Sequence, residues 1–166
     1  YNSPILLIKK PKSDKYRFCT DFRLLNSKLK QNRFPLPRIK DLIERLKGSK
    51  FFTSLDLKHG FYNIALDEKS RDMTAFSVGQ KQYRYLRLPM GLCVSPQIFQ
   101  RIMQNILGSL IEKNVIVYLD DVLIFSKNEC DHIQDIQKVL KLIGKAGILL
   151  NSSKCHFGLA ELNYLG

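Results

Sequence analysis

The segment Val115–Ser126, VIVYLDDVLIFS, constrains this chain more than any other. Two apolar runs flank Asp120 and Asp121, a pattern that reads as strand, turn, strand with the acids at or beside the turn. Aspartate is a common turn residue, so solvated turn acids are the plainest reading. Electrostatics speaks against it. Adjacent like charges repel, and carboxylates at the end of so apolar a hairpin are costly unless a cation compensates them.

The rest of the chain supplies the elements to pack such a hairpin. Pro4–Lys10 reads as a strand running into a basic turn, and Tyr16–Asn26 alternates as a strand ending in a turn. Leu29–Arg38 carries two prolines and reads as an extended connection. Ile39–Gly48 has apolar residues at 39, 42, 43 and 46, an amphipathic helix stopped by Gly48. Lys50–Leu57 reads as a buried strand ending at Asp56, followed by a compact turn. Thr74–Leu88 reads as a hairpin about Gly79-Gln80. Ser95-Pro96 opens a helical pattern reaching Asn114, and Asp131–Gly147 is a second amphipathic helix. Short strands follow around ILLN, KCHFG and ELNYLG. This order predicts an α+β fold of the split βαβ, ferredoxin-like kind, with an antiparallel sheet and helices on one face. One strand ends at Asp56 and another at Asp120; in that fold the first strand and the hairpin strands lie side by side, which brings Asp56, Asp120 and Asp121 together. Three clustered carboxylates call for hard cations such as Mg²⁺, and two such ions suit phosphoryl transfer.

Charge points the same way. Residues 1–50 hold 14 Lys and Arg against 4 Asp and Glu, whereas the other 116 residues hold 13 against 11. A basic front beside a nearly neutral remainder suggests a polyanionic partner. The four cysteines form no CxxC pair, and Cys130/His132 and Cys155/His156 lack zinc-finger spacing. No apolar run approaches the roughly 18 residues of a membrane span, so no membrane role is expected. The chain starts at Tyr1 and ends after an apolar segment, as a portion of a longer polypeptide would.

Six stretches in order carry a family resemblance: KKPKSDKYRFCTDFRLLN, FPLPRIKDLI, FTSLDLKHGFYNIAL, TAFSVGQKQYRYLRLPMGLCVSPQIFQ, VYLDDVLIFS and LNSSKCHFGLAELNYLG. Together they resemble the reverse transcriptase domain, fingers and palm, of gypsy-type LTR retrotransposon polyproteins. The resemblance implies partial fingers with a connection over 1–50 and palm over 51–166, residues 74–92 joining fingers–palm packing. It implies Asp56 and Asp120 holding two Mg²⁺ ions (Mn²⁺ a possible substitute), with Asp121 the third acid. It places Lys154 near the leaving pyrophosphate as proton donor. Lys10 and Arg17 would grip the triphosphate, and backbone amides of Leu57–Gly60 would meet its oxygens. Phe61 stands at the steric-gate position, its ring excluding a 2′-hydroxyl, while Tyr62 turns to the core. Met90 replaces the glutamine of retroviral enzymes in the supporting loop Leu88–Gly91. Gly91, Gln97, Tyr118 and Gly166 fall among template–primer contacts, with Gln100 a further template candidate and Tyr164-Leu165-Gly166 opening the primer-grip hairpin.

The activity so implied is RNA-directed DNA polymerisation, a nucleotidyl transfer from dNTPs onto a primer on RNA or DNA. The partners would be template–primer, dNTPs and the rest of the polyprotein (thumb, RNase H, integrase), in cytoplasmic virus-like particles with later nuclear access. The fragment alone is expected to be inactive or weakly active. Three alternatives remain at this stage: a silent nucleic-acid-binding remnant, which the intact acids oppose; an RNA-templated RNA polymerase, which Phe61 opposes; and a metal nuclease using the same acids.

Overall fold

The computed structural model describes residues 1–9, 11, 14–30, 34–35, 37–119 and 121–162. In chain order the elements are β1 (Ile5–Lys9), β2 (Tyr16–Thr20), α1 (Arg23–Asn26), α2 (Ile39–Arg45), β3 (Phe51–Asp56), α3 (Glu68–Arg71), β4 (Phe76–Val78), β5 (Lys81–Tyr83), α4 (Ser95–Leu107), α5 (Leu110–Lys113), β6 (Val115–Tyr118), β7 (Asp121–Ser126), α6 (Glu129–Lys145) and β8 (His156–Leu159). Single 3₁₀ turns occupy Gly60–Asn63, Asp72–Thr74 and Ser152–Lys154. Contacts divide the chain into two compact units, Tyr1–Arg33 with Phe61–Pro96 and Phe34–Gly60 with Gln97–Gly166.

The first unit is built on two antiparallel ribbons. In one, β1 pairs with β2 from Ile5–Thr20 to Lys9–Tyr16. In the other, Val78 pairs with Lys81, so Gly79 and Gln80 form the turn, as the sequence predicts. Those strands are only three residues long, shorter than the alternation over Thr74–Leu88 suggests. The expected strand-then-turn over Tyr16–Asn26 also differs. The Asp21 carboxylate accepts the Arg23 backbone N–H (3.1 Å) and pairs with its guanidinium, and that local bond starts the helical turn α1. Helix α3 escapes the periodicity reading because it is a single turn, begun by Asp67, whose side chain accepts the N–H groups of Lys69 and Ser70.

The second unit holds the sheet, in the order β6-β7-β3-β8 with every neighbour antiparallel. The succession β3, α4, β6, β7, α6, β8 with that strand order is the expected ferredoxin-like α+β arrangement. Residues directly opposite across strands share a face. Thr53, Leu55, Val122, Ile124 and Ser126 face α6, whose His132 bonds Thr53 and Ser126. On the opposite face Leu42 of α2 packs with Ile116, Leu123 and Phe125, and Leu46, Phe52 and Tyr118 line the edge of that cluster. Leu55, Val115, Ile116, Val122, Leu123 and Ile124 are wholly buried, each worth about 1.5–3 kcal/mol in apolar transfer. The long helix expected over 95–114 is two helices, because Gly108 takes φ +53° and ends α4. Near the C-terminal side, ILLN contributes only the bridge Leu150–Leu57, while KCHFG yields β8. ELNYLG lies mostly outside the described residues. Among the described residues no helix is long and apolar enough to cross a membrane.

Candidate active site

Asp56 is the last residue of β3 and Asp121 the first of β7, and the register sets them directly opposite each other. Both fall on the sheet face that carries Leu123 and Phe125. Tyr118 pairs with Asp121, so two residues, Leu119 and Asp120, join β6 to β7. Leu119 has φ +54°. Two-residue hairpins take primed turns that demand such a left-handed residue, usually Gly, Asn or Asp; a leucine there stores about 1 kcal/mol or more of backbone strain. Asp120 itself lies outside the described residues, as do Lys10 and Gly166.

A second backbone device brings Lys154 to the same place. Leu150 bridges Leu57, and the Asn151 N–H donates to the Asp56 carbonyl at 2.9 Å. The following 3₁₀ turn then delivers the Lys154 ammonium to 3.6 Å from Asp56 Oδ2. With the lysine side chain 66% exposed, that pair adds at most about 1 kcal/mol to stability. Its interest is electrostatic. Burial pushes the Asp121 carboxyl above the usual carboxylate range, the Asp56 charge pushes it further, and Lys154 draws it partly back.

Among the described residues no three His, Cys, Asp or Glu side chains form a metal-holding group. The donor chemistry of Asp56 and Asp121 nevertheless fits a hard divalent cation. Like charges opposite one another on a sheet destabilise it, the oxygens are hard donors, and the Asp56 charge adds to burial in disfavouring a second negative charge on Asp121. The zinc candidates do not gather in this way. His132 is buried and bonded through Nε2 to Thr53 Oγ1 (2.8 Å) and through Nδ1 to Ser126 Oγ (3.1 Å).

The remaining sequence-predicted residues separate by environment. Leu57 is 3% exposed, a core side chain. Of the amides in the turn after it, that of Lys58 donates to the Leu149 carbonyl (2.8 Å), which removes it from phosphate binding. Tyr118 packs at the margin of the α2 cluster. Gln97 is half-buried on α4. Gln100 is 1% exposed and donates through Nε2 to the Val117 carbonyl at 3.0 Å, so it is no template contact.

In the first unit Arg17 is exposed on β2, opposite Ile8. Phe61 sits half-buried in the 3₁₀ turn Gly60–Asn63. Its neighbour Tyr62 stacks on Tyr85 (centroids 6.3 Å, 22°), and burial raises the Tyr62 pKa. Met90 is 43% exposed, and Gly91 has φ +93° with a Cβ position 3.5 Å from Phe22 Cδ2 and the Thr20 carbonyl. The loop is pinned by Asn26, which donates through Nδ2 to the Gly91 carbonyl and accepts the Cys93 N–H, both at 2.9 Å. Sequence reading missed this clamp: an asparagine after LL looks like an ordinary turn residue.

The family described as reverse transcriptase (RNA-dependent DNA polymerase) matches residues 8–166. Pol polyproteins of the Drosophila melanogaster transposons 297 and gypsy are each 41% identical over all of this chain, which spans 16% of the length of either. A Tf2-3 transposon polyprotein of Schizosaccharomyces pombe is 33% identical over 98% of the chain, which covers 12% of it. Among solved structures, foamy viral protease-reverse transcriptase in complex with double-stranded DNA aligns over 99% of this chain and 29% of its own, with TM-score 0.90 and 27% identity. The same viral protein with an RNA/DNA hybrid gives TM-score 0.90 and 26% identity over 99% of this chain and 22% of its own. With a paired Asp56 and Asp121 at the head of an antiparallel sheet, and matches running from end to end, this chain belongs to the reverse transcriptase family, in the company of retrotransposon Pol polyproteins.

Proposed function

We propose that this chain forms the polymerising part of an RNA-directed DNA polymerase that adds dNTPs to a primer 3′ end. The observation that carries this reading is the opposed pair Asp56–Asp121 with Lys154 beside it. Divalent metal ions are the general cofactors of the family. Asp56 and Asp121, joined by Asp120, would hold them, with Mg²⁺ the best fit to oxygen donors. When bound, such ions polarise phosphoryl oxygens and stabilise the attacking and leaving oxygens of an in-line displacement.

The chain's own residues do the rest. The two aspartates, fixed by strand register, preorganise negative charge where cations must sit and need no rearrangement to do so. Lys154, 3.6 Å from Asp56, would donate a proton to, or neutralise, a departing pyrophosphate oxygen. Arg17 and Lys10 meet the triphosphate, and Phe61 closes the space a ribose 2′-hydroxyl would need. Met90 and Gly91 support the nascent pair; Gln97, Tyr118 and Gly166 attend the template–primer. That foamy viral relatives form complexes with double-stranded DNA and with an RNA/DNA hybrid supports these partners, as does the excess of Lys and Arg in residues 1–50. Residues 1–50 act as fingers with connection and 51–166 as palm, within a polyprotein supplying thumb, RNase H and integrase in cytoplasmic particles.

The deciding experiment places Asp56→Asn in a polyprotein of the relatives' length. Template-dependent dNTP incorporation should fall by at least about 10³-fold, ~4 kcal/mol in the transition state, with unfolding temperature unchanged. Incorporation within tenfold of the parent would remove Asp56 from this role.

A further inference from the structure

The candidate carboxylates are only as well placed as the hairpin that holds Asp121, and β6 is an edge strand of the sheet. Edge strands present a row of main-chain groups with no neighbouring strand to satisfy them. On β6 the parity is fixed by pairing. The Asn114 carbonyl accepts the Phe125 N–H at 3.0 Å, so even-numbered main-chain groups point to β7 and odd-numbered ones point outward. The outward carbonyls of β6 are those of Val115 and Val117, and each is taken by a side chain. Gln100 Nε2 donates to Val117 O at 3.0 Å. Arg45 Nη2 donates to Val115 O at 3.2 Å and to the carbonyls of Ile111 and Lys113 in α5. The same guanidinium lies 5.6 Å from the centre of the Phe125 ring on β7.

Gln100 carries a cost that a plain packing residue would not. It is 1% exposed, and its Oε1 is buried without a hydrogen-bond partner among the described residues. A buried acceptor without a partner carries its full desolvation penalty. A methionine of nearly equal length would fill the same space without it. The other end of the same amide makes the bond to Val117, one residue before Tyr118 and four before Asp121.

We propose that Gln100 is a positioning residue for the carboxylate pair: together with Arg45 it anchors the outer edge of β6, and so fixes the turn that delivers Asp121 opposite Asp56. The consequence for metal binding rests on the function proposed above; the consequence for the hairpin does not.

The test uses the full 166-residue chain and Gln100→Met, which keeps volume and removes both the anchoring donor and the orphan acceptor. Unfolding temperature should move by no more than about 3 °C, because the two losses offset. Hydrogen-exchange protection of Tyr118 and Asp121, which pair across the hairpin, should fall at least tenfold, with Thr53 and Ile124 unchanged. Mn²⁺ affinity, read by paramagnetic relaxation, should fall at least fivefold. Gln100→Glu provides the rescue: protonated at pH 5, its hydroxyl donates to Val117 and restores protection, which is lost again when it ionises. Should Gln100→Met fail to fold, the pH 5 to pH 8 contrast of Gln100→Glu decides the matter alone. Unchanged protection at the turn in the Met variant, or no recovery in the protonated Glu variant, overturns the proposal. Asp56→Asn serves as control. If the parent binds Mn²⁺ no better than Asp56→Asn, the metal reading falls, while the exchange data still judge the anchor.

Discussion

Strands β1 and β7, ILLIK and DVLIFS, both carry a run of aliphatic residues and live in opposite surroundings. Five of the six β7 positions are buried; four of the five on β1 are exposed, with Leu7 at 65%. β7 has a strand on either side and α6 against it. β1 belongs to a two-stranded ribbon, which cannot bury both faces. The difference teaches where stability and contact chemistry reside. In the sheet, apolar side chains hold two acids in register. On the ribbon, Leu6, Leu7, Ile8, Tyr16 and Phe18 stand open beside basic residues, available to whatever the ribbon meets.

The sharpest way to break this contrast is a matched pair of truncations. Leu123→Ala should cost about 3–4 kcal/mol of unfolding free energy, since Leu123 is fully buried in the α2 cluster. Leu7→Ala should cost under about 0.5 kcal/mol. Chemical denaturation of both measures the gap. Equal losses would mean that the ribbon is buried in solution and the contrast false.

A somewhat smaller effect, on selectivity rather than stability, concerns Phe61. In a polymerising polyprotein, Phe61→Val should raise kcat/KM for ribonucleotides relative to dNTPs about 100-fold, ~2.7 kcal/mol. Unaltered selectivity in an otherwise active variant would leave Phe61 as packing only.

The smallest effect belongs to His132, inside the sheet unit. Burial lowers its pKa from the usual imidazole value of about 6.5, and Asp135 offsets this in part. Below that value the unfolded chain takes up a proton that the folded chain refuses. Stability is therefore fully present above about pH 6.5 and declines as pH falls, levelling off beneath the lowered folded value. Thermal unfolding from pH 7.5 to 5 should show this decline, and His132→Asn should flatten it. A parallel decline in the variant would assign the effect to other groups.

How far the sequence could carry the reader depends on where each residue's partners are. Asp56 and Asp121 were legible because strand pattern and turn length are local, and the topology that joins them follows from element order. The break at Gly108 was less so: SPQIFQRIMQNILGSLIEKN keeps a helical period through a glycine that in fact turns left-handed. Gln100 looked like a polar residue on a helix face, and only the fold shows it buried against a carbonyl. Arg45 could not be read at all. Its partners are main-chain oxygens 66 to 70 residues away, and every residue type has one of those. His132, whose spacing from Cys130 fits no zinc finger, carries no local mark of its role either: its bonds run to two hydroxyls in the sheet.

The two-residue connection between Tyr118 and Asp121 makes this hairpin a ruler of fixed length. Most surface loops absorb an added or missing residue with little penalty. Here one codon gained or lost would slide β7 by a step along β3, and a strand alternates faces at every step. Asp121 and Leu123 would swing toward α6, and Val122 and Ile124 toward the face that α2 covers. The length of this connection is therefore as much a part of the carboxylate pair as the aspartates themselves.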